Sequence, residues 1–431
     1  ALIVFAIPMI IGNLFQQAYT MADSAIVGRL VGEKALAAVG AAYSLTNIFI
    51  CVAIGGGMGA SVIVSQYFGH GNYGKLKKTV YTALVTFLVI SVMLGVIGLV
   101  FSKNIMIAMN TPVEVLDMSV TYLQIYFLGL PFLFMYNVLS SMFNALGKSR
   151  IPLYFLIFSS VFNIVLDWVF VADFALDVAG VAWATLIAQG VSVLGSFTVL
   201  RKELKKLEGA SDGIFEAEEL LPMAKIALPS ILQQSTVSIG MMLVQSVVNS
   251  FGAESLAGFS AGMRIESICV VPMAAVGNAI SSYTAQNIGA GQLKRVSKGY
   301  VQANKMVIFF GVVICVILEL FPTQLITLFL GADGSQVAIA TGYGYLVFMG
   351  FFFFMIGFKM AADGVLRGAG DMKLFTIANL VNLSIRVIMA MTLAPRFGIA
   401  WVWYAVPIGW TANFVISYLE YRTGKWKTIR R

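Results

Sequence analysis

Long apolar segments, separated by short clusters of charged residues, dominate this sequence. A helix needs about 20 apolar residues to cross the hydrocarbon core of a bilayer, and twelve segments meet that length. They cover approximately residues 2–27, 39–66, 79–101, 117–146, 152–172, 179–200, 222–249, 256–287, 299–321, 339–366, 374–394 and 398–421. The pattern therefore predicts an all-α polytopic membrane protein with twelve transmembrane helices.

The composition excludes several other classes of protein. Of the 431 residues 59% are hydrophobic and only 11% are charged, whereas a soluble domain carries about 25% charged residues. The net charge of +8 would be compatible with nucleic acid, but the basic residues lie in the short connections, as they do in membrane proteins. We therefore expect membrane lipid around the chain and no nucleic acid partner.

The basic residues also predict an orientation. Alternate connections and the C-terminal segment together carry nineteen Lys and Arg residues, whereas the other connections carry four, namely Arg29, Lys34, Lys103 and Arg396. Cytoplasmic loops are enriched in Lys and Arg. Both termini are therefore predicted to be cytoplasmic.

An internal repeat divides the chain. Shifted by 220 positions, residues 32–81 match residues 252–301 at eleven positions, among them Gly32 with Gly252 and Gly71 with Gly291. Two copies of six spans keep the same topology, so they predict two pseudo-symmetric six-helix bundles around a central cavity. The predicted parts are an N-terminal bundle (1–200), a cytoplasmic linker (201–221), a C-terminal bundle (222–421) and a basic cytoplasmic tail (422–431).

Two carboxylates lie inside predicted spans of the first half, Asp23 in the first and Asp167 in the fifth. A charged side chain at the centre of a membrane helix costs about 2.5–3.5 kcal/mol on insertion scales, so such residues are functional candidates. Both spans run in the same direction, which gives the two acids a similar depth. Tyr19 and Asn163 each precede an acid by one helical turn and share its helix face.

Other polar side chains reach a similar depth, namely Asn137 in the fourth span and Thr185 in the sixth. Together with the acids they form a set of oxygen atoms suited to a small hard cation, or a carboxyl pair able to hold one proton. Interhelical hydrogen bonding is the alternative role for the uncharged members.

The second half has no acidic residue within 229–253 or 374–419. Its intramembrane charges include Arg264, Glu266 and Arg386, which we take as candidates to line a substrate cavity. Arg264 and Glu266 are two residues apart and do not share a helix face. Lys359 and Asp363 have the i,i+4 spacing of an ion pair, for which a structural role is favoured.

Several motifs resemble the multidrug and toxic compound extrusion (MATE) family, in its prokaryotic branches related to DinF-type proteins. In the first half these are MADSAIVGRLVG, SQYFGHGNYGK, NALGKSRIPL, NIVLDWVFV and GVAWAT; in the second half they are LPSILQQS, AQNIGAGQ and LRGAGDMK. The resemblance covers essentially the whole chain. It implies a secondary active antiporter of the bacterial plasma membrane, acting as a monomer, that exports small organic compounds, often cationic.

The resemblance also implies roles for residues. The positions Asp23, Asn137, Asn163, Asp167 and Thr185 would form the cation- or proton-coupling site, with Tyr19 beside it. If the coupling ion is Na⁺, its ligands would be Asp23, Asn163, Asp167 and Thr185. No cofactor is expected besides the coupling ion, H⁺ or Na⁺.

Two other functions are alternatives to a drug exporter. A flippase for a lipid-linked or polyprenyl precursor belongs to the same superfamily, but it would need a cationic cavity, for which only Arg264 and Arg386 are at hand. An intramembrane enzyme would need a Ser/His pair, an aspartyl motif or a His-rich metal site. His70 is the sole histidine and lies in a glycine-rich loop, so the sequence does not favour an enzyme.

Overall fold

The computed structural model describes residues 2–209, 213–331 and 334–428. Within these ranges the secondary structure is helical, without strands. The α-helices are α1 (Leu2–Ile26), α2 (Glu33–His70), α3 (Tyr73–Ala108), α4 (Val113–Ala145), α5 (Arg150–Trp168), α6 (Val178–Lys205), α7 (Leu220–Asn249), α8 (Ala253–Gly289), α9 (Leu293–Leu320), α10 (Pro322–Leu330), α11 (Gln336–Gly350), α12 (Phe353–Ala369), α13 (Met372–Phe397) and α14 (Ala400–Thr423). The predicted all-α polytopic membrane fold is confirmed.

Each predicted span corresponds to a helix or a bent pair of helices. Ten helices in the described residues are long and apolar enough to cross a membrane, or eleven if α11 and α12, bent by 53°, count as one span. The twelfth predicted span is α14, which falls short of that apolarity. Its sequence includes Trp and Tyr residues, and buried polar groups such as Asn413 and Ser417, which lower its hydropathy.

The internal repeat is visible in the backbone. Gly32 and Gly252 precede α2 and α8 with φ of 114° and 98°, and Gly71 and Gly291 follow the same helices with φ of 76° and 69°. Positive φ strains residues that carry a Cβ atom, which explains glycine at these four matched positions. The repeat therefore preserves the turns at both ends of equivalent helices.

The chain packs as two compact units. The N-unit comprises Ile11–Ile231, and the C-unit comprises Ala1–Ile10 with Leu232–Arg431. The boundaries lie inside α1 and α7, two residues after Pro8 and Pro229 respectively. A proline inside a helix removes a backbone hydrogen bond and favours a kink.

The packing within each unit follows the repeat. In the N-unit α4 packs against α2, α3 and α6, and in the C-unit α12 packs against α8, α9 and α14. The compact units differ from the predicted bundles 1–200 and 222–421: residues Ala1–Ile10 belong to the C-unit, and the N-unit continues through the predicted linker to Ile231. The predicted domain boundaries stay a prediction.

The linker and the tail are partly ordered. Helix α6 continues to Lys205, a short 3₁₀ turn covers Ala217–Glu219, and positions 210–212 of the predicted linker lie outside the described residues. In the predicted tail a 3₁₀ turn follows α14 at Lys425–Lys427, and Trp426 is buried against Tyr421. Arg430 and Arg431 lie outside the described residues.

Candidate functional site

The two predicted acids of the N-unit lie next to each other. The carboxyl groups of Asp23 on α1 and Asp167 on α5 are within hydrogen-bonding reach. Asp167 is fully buried, and Oδ1 of each acid is a buried oxygen that has no hydrogen-bond donor in the described structure. Two carboxylates this close repel each other unless they share a proton or a cation.

Asn163 links the acid pair to α6. In the orientation that satisfies its neighbours, the Asn163 amide donates from Nδ2 to Oδ2 of Asp167 at 3.1 Å and accepts from the backbone N–H of Thr185 at 2.9 Å. Oγ1 of Thr185 donates to the Val181 carbonyl at 3.1 Å. The hydroxyl of Tyr19 also hydrogen-bonds the Asn163 side chain. The structure thus brings together five of the six predicted site residues.

Asn137 is engaged elsewhere. Its Nδ2 donates to the carbonyl of Leu133, one turn back on α4, at 2.9 Å. Its predicted place in the coupling site stays a prediction.

The oxygen atoms left free determine which ion the site suits. The amide oxygen of Asn163 and the hydroxyl of Thr185 are already used in hydrogen bonds within the protein. Oδ1 of Asp23 and Oδ1 of Asp167 remain without donors. Two neighbouring oxygens suffice to share a proton, whereas a hard metal cation is ordinarily held by more oxygen ligands.

Both acid-bearing helices end in a π-helical turn. Helix α1 continues as Val27–Val31 and α5 continues as Val169–Asp173, and the two turns lie against each other. Asp23 and Asp167 therefore each lie within one turn of a widened helix end. Such π turns are frequent at functional sites.

An apolar cluster covers the acid pair on the side of these turns. Its buried members are Val27, Ala35, Val178 and Val181, and Val31, Val39, Met118, Tyr122 and Val171 pack around them. Val27 lies one helical turn beyond Asp23, and Val181 one turn from Thr185. Uncharged side chains therefore lie one helical turn from Asp23 and from Thr185.

Tyr122 is not among the site residues predicted from the sequence. This α4 residue is a member of the apolar cluster and lies within electrostatic range of both Asp23 and Asp167. Its ring stacks on Tyr126 with centroids 6.5 Å apart. Tyr122 and Tyr126 are four residues apart on α4, and this spacing is visible in the sequence. The sequence does not show, however, which face of α4 lies near the acids.

In the C-unit the buried carboxylate of Asp363 has both a counter-ion and hydrogen-bond donors. Asp363 on α12 pairs with Lys359 at 3.3 Å, accepts from Asn379 Nδ2 at 3.2 Å and accepts from Ser417 Oγ at 2.6 Å. Lys359 and Asp363 are only 4% and 2% exposed. The predicted ion pair is confirmed, and it lies in the interior of the C-unit.

The three other charges singled out in the second half divide into two groups. Glu266 is buried and lies within electrostatic range of Arg386, whereas Arg264 is exposed. Nε of Arg386 and Oε2 of Glu266 are buried without hydrogen-bond partners in the described part of the chain. Arg386 also lines a small cavity with Tyr345 and Trp403. A role for these residues in substrate binding stays a prediction.

The family is identified by the match of the whole chain. The MatE family model matches residues 8–169 and again residues 229–392. The chain belongs to the MatE family. The two matches begin at Pro8 and Pro229 and follow the internal repeat, so this MatE chain carries two copies of the family's domain.

Individual relatives agree with this assignment. The probable multidrug resistance protein YpnP of Bacillus subtilis (strain 168) is 31% identical over 431 residues, covering 100% of this chain and 96% of the relative. The FAD transporter of Shewanella oneidensis is 24% identical over 332 residues, covering 75% of this chain and 73% of the relative. Among solved structures, the outward-facing conformation of a multidrug resistance MATE family transporter of the MOP superfamily has a TM-score of 0.90 at 23% identity, covering 100% of this chain and 96% of that one.

Membership fixes the general class of activity. MatE proteins such as these relatives are membrane transporters, so the chain is a multi-pass transporter of small molecules and not an enzyme. The predicted family is therefore confirmed.

Proposed function

We propose that this MatE transporter exports organic cations in exchange for protons, and that Asp23 and Asp167 carry the exchanged proton. The observation that carries the proposal is the acid pair: two carboxyl groups in contact, each with one buried oxygen that lacks a donor among the described residues. No basic side chain forms an ion pair with either acid in the described structure.

The chemistry of coupling follows from charge. With one shared proton the pair carries a single negative charge, and with two protons it is neutral. A cationic substrate is attracted by the deprotonated form and is released more easily from the neutral form. Proton and substrate therefore compete for the same negative charge, which is the differential interaction that exchange requires.

The alternative coupling ion is Na⁺. The predicted Na⁺ ligands Asn163 and Thr185 use their oxygens in hydrogen bonds within the N-unit, so Na⁺ binding would require those bonds to break. A proton needs no such rearrangement. We therefore favour proton coupling, in a bacterial plasma membrane with both termini cytoplasmic and with the chain acting as a monomer.

The flippase alternative receives less support from the C-unit. Lys359 is neutralised by Asp363, Arg386 lies beside Glu266, and Arg367 is bound to Ser281 and Asn278. Lys359 and Arg367 are thus engaged within the protein, which leaves Arg386, whose Nε has no hydrogen-bond partner among the described residues, as the one of these three cations able to meet a phosphate. The FAD transporter among the relatives nevertheless makes an anionic dinucleotide a necessary comparison substrate.

The test is transport by purified protein in liposomes. Ethidium efflux is measured under an imposed pH gradient and, separately, under a Na⁺ gradient, with FAD as the anionic comparison. We expect efflux of ethidium driven by the pH gradient, and its loss in both Asp23→Asn and Asp167→Asn. Asp117→Asn, an exposed acid on α4 of the same unit, is the matched control and retains transport.

Three results would contradict the proposal. Efflux driven by Na⁺ alone would assign a different coupling ion. pH-driven efflux that survives both substitutions would remove the acid pair from the mechanism. Transport of FAD but not of ethidium would reverse the assigned charge of the substrate.

A further inference from the structure

An apolar groove runs along the N-unit at the end of the molecule where the linker lies. Its walls are α3 and α6 and its floor is α4, which packs against both of them. The groove encloses about 740 Å³, within the usual range of ligand sites. Its lining includes Leu88 from α3, Met135 from α4 and Phe197 from α6.

The exposed part of the groove lining is apolar. Leu88 and Leu194 are 43% and 67% exposed, and apolar side chains exposed on membrane-spanning helices contact lipid tails rather than water. Along its length the lining is almost entirely hydrocarbon. A ligand lying in the groove would therefore present a hydrocarbon chain to it.

One end of the groove is charged. Arg201, near the end of α6, is the cation that lines it. Several other cations of this region are paired within the protein: Lys148 and Lys206 share Glu203, and Lys78 pairs with Glu216 at 3.2 Å. Among the described residues no carboxylate pairs with Arg201, so none of them neutralises the charge of its guanidinium.

The linker also contributes to the groove. Gly213 and Ile214 are part of its lining. This stretch is tied to α3, because the backbone N–H of Glu216 donates to Oγ1 of Thr82 at 2.9 Å and its carboxylate pairs with Lys78. The linker part of the lining is thus held against α3 by specific bonds.

We propose that this groove binds one anionic phospholipid, with an acyl chain between α3 and α6 and its phosphate on Arg201. A guanidinium binds phosphate oxygens through two parallel hydrogen bonds, and basic residues beside membrane helices recognise anionic headgroups. Each buried methylene of the acyl chain adds to the binding. A cationic drug would be repelled by Arg201, so the groove is not a site for the exported organic cation.

The experiment measures lipid binding to the full-length protein in detergent by native mass spectrometry. Phosphatidylglycerol and phosphatidylcholine of identical acyl chains are titrated into the wild type and three variants. Arg201→Gln removes the headgroup contact. Lys202→Gln is the matched control, because Lys202 is its exposed neighbour and does not line the groove. Leu194→Trp fills the groove from an exposed position.

We expect phosphatidylglycerol to bind more tightly than phosphatidylcholine. Arg201→Gln should weaken it by about tenfold or more, as expected for the loss of a charge-assisted hydrogen-bond pair. Lys202→Gln should leave it within about twofold. Leu194→Trp should remove the bound lipid, while its far-UV circular dichroism remains that of the wild type.

Three outcomes would overturn the proposal. Equal losses in Arg201→Gln and Lys202→Gln would indicate diffuse attraction to a basic surface. Equal affinity for the two lipids would remove the headgroup contact. Unchanged binding in a folded Leu194→Trp variant would place the lipid elsewhere. None of these outcomes depends on the coupling ion, so the proposed transport function is tested independently.

Discussion

Two sites with buried carboxylates, one in each unit of this MatE protein, are partnered in opposite ways. In the N-unit Asp23 and Asp167 face each other, and one oxygen of each acid has no donor among the described residues. In the C-unit Asp363 receives an ion pair from Lys359 and hydrogen bonds from Asn379 and Ser417. The site of Asp23 and Asp167 therefore needs an added positive charge, whereas the site of Asp363 already contains a cation, Lys359.

The difference explains why the two sites cannot share a function. A buried acid that is neutralised by the protein gains little from a proton or a metal ion, because its ligands are already in place. An acid pair without a cation gains most from a bound proton. Under the proposed function ion exchange belongs to the N-unit, and we expect the network around Asp363 to have a structural role.

The largest expected effect comes from removing the internal cation of the C-unit. Lys359→Met leaves Asp363 buried without its partner charge, and breaking a buried ion pair costs about 3–5 kcal/mol. We expect a large fall in the free energy of unfolding, seen as a lower midpoint of thermal unfolding in detergent. Lys305→Met, at an exposed position on α9, is the control. Equal stability of the two variants would contradict the structural role of the pair.

A smaller loss of stability is expected when Asn163, which links the acid pair to α6, is replaced. Asn163→Leu removes the donor to Asp167 and the acceptor for the Thr185 N–H, which costs about 1–3 kcal/mol when buried groups stay unsatisfied. Transport should fall together with stability. Asn137→Leu is the matched control, because its described hydrogen bond stays within α4. If Asn137→Leu abolishes transport as well, Asn137 belongs to the coupling site as the sequence predicted.

A second pair of acids, Asp371 at the start of α13 and Glu420 near the end of α14, tests the same principle. Burial, followed by the proximity of Glu420, raises the pKa of Asp371 to about 6, and Lys425 lies 3.9 Å from Glu420. The folded protein therefore binds this proton more tightly than the unfolded chain, whose Asp pKa is about 3.9. Stability is highest below that value and falls as the pH rises to about 6.

Asp371→Asn should remove this dependence. We expect the variant to be more stable than the wild type above pH 6 by about 1–2 kcal/mol, after allowing for solvent screening, with the gain disappearing below pH 4. Thermal unfolding midpoints between pH 4 and pH 7.5 provide the measurement. A gain that is constant across this range would show that the carboxyl charge at position 371 is not its cause.

The smallest effect on stability is expected at the acid pair itself. Asp167→Asn removes the repulsion from Asp23 and leaves no buried cation without its partner. The free energy of unfolding should therefore stay within about 1 kcal/mol of the wild type or rise. This contrasts with Lys359→Met and with the loss of transport proposed for the same Asp167 variant. Marked unfolding of Asp167→Asn would mean that the pair is structural, like the network around Asp363.

The sequence by itself determined the membrane class, the helices, the repeat and the candidate acids. Runs of apolar residues have few solutions other than spanning helices, because the bilayer leaves no water for unpaired backbone groups. Asp23 and Asp167 were recognisable because a carboxylate in such a run is costly, and Tyr19 and Asn163 followed from the 3.6-residue period. Matched glycines such as Gly32 and Gly252 predicted the repeated turns.

Tertiary structure alone decided which polar groups meet. Periodicity places Asn137 at the right depth, but the rotation of α4 turns its amide to Leu133 and leaves Tyr122 near the acids. Asp363 and Asp167 are both single acids in apolar helices. The i,i+4 spacing already predicts the cation of Asp363, Lys359, whereas only the packing of α12 against α13 and α14 gives Asp363 its hydrogen bonds from Asn379 and Ser417. Hydrophobicity sets the depth of a residue in a membrane, whereas the rotation and packing of helices set its neighbours, and the neighbours decide whether a buried charge is left free to bind a proton.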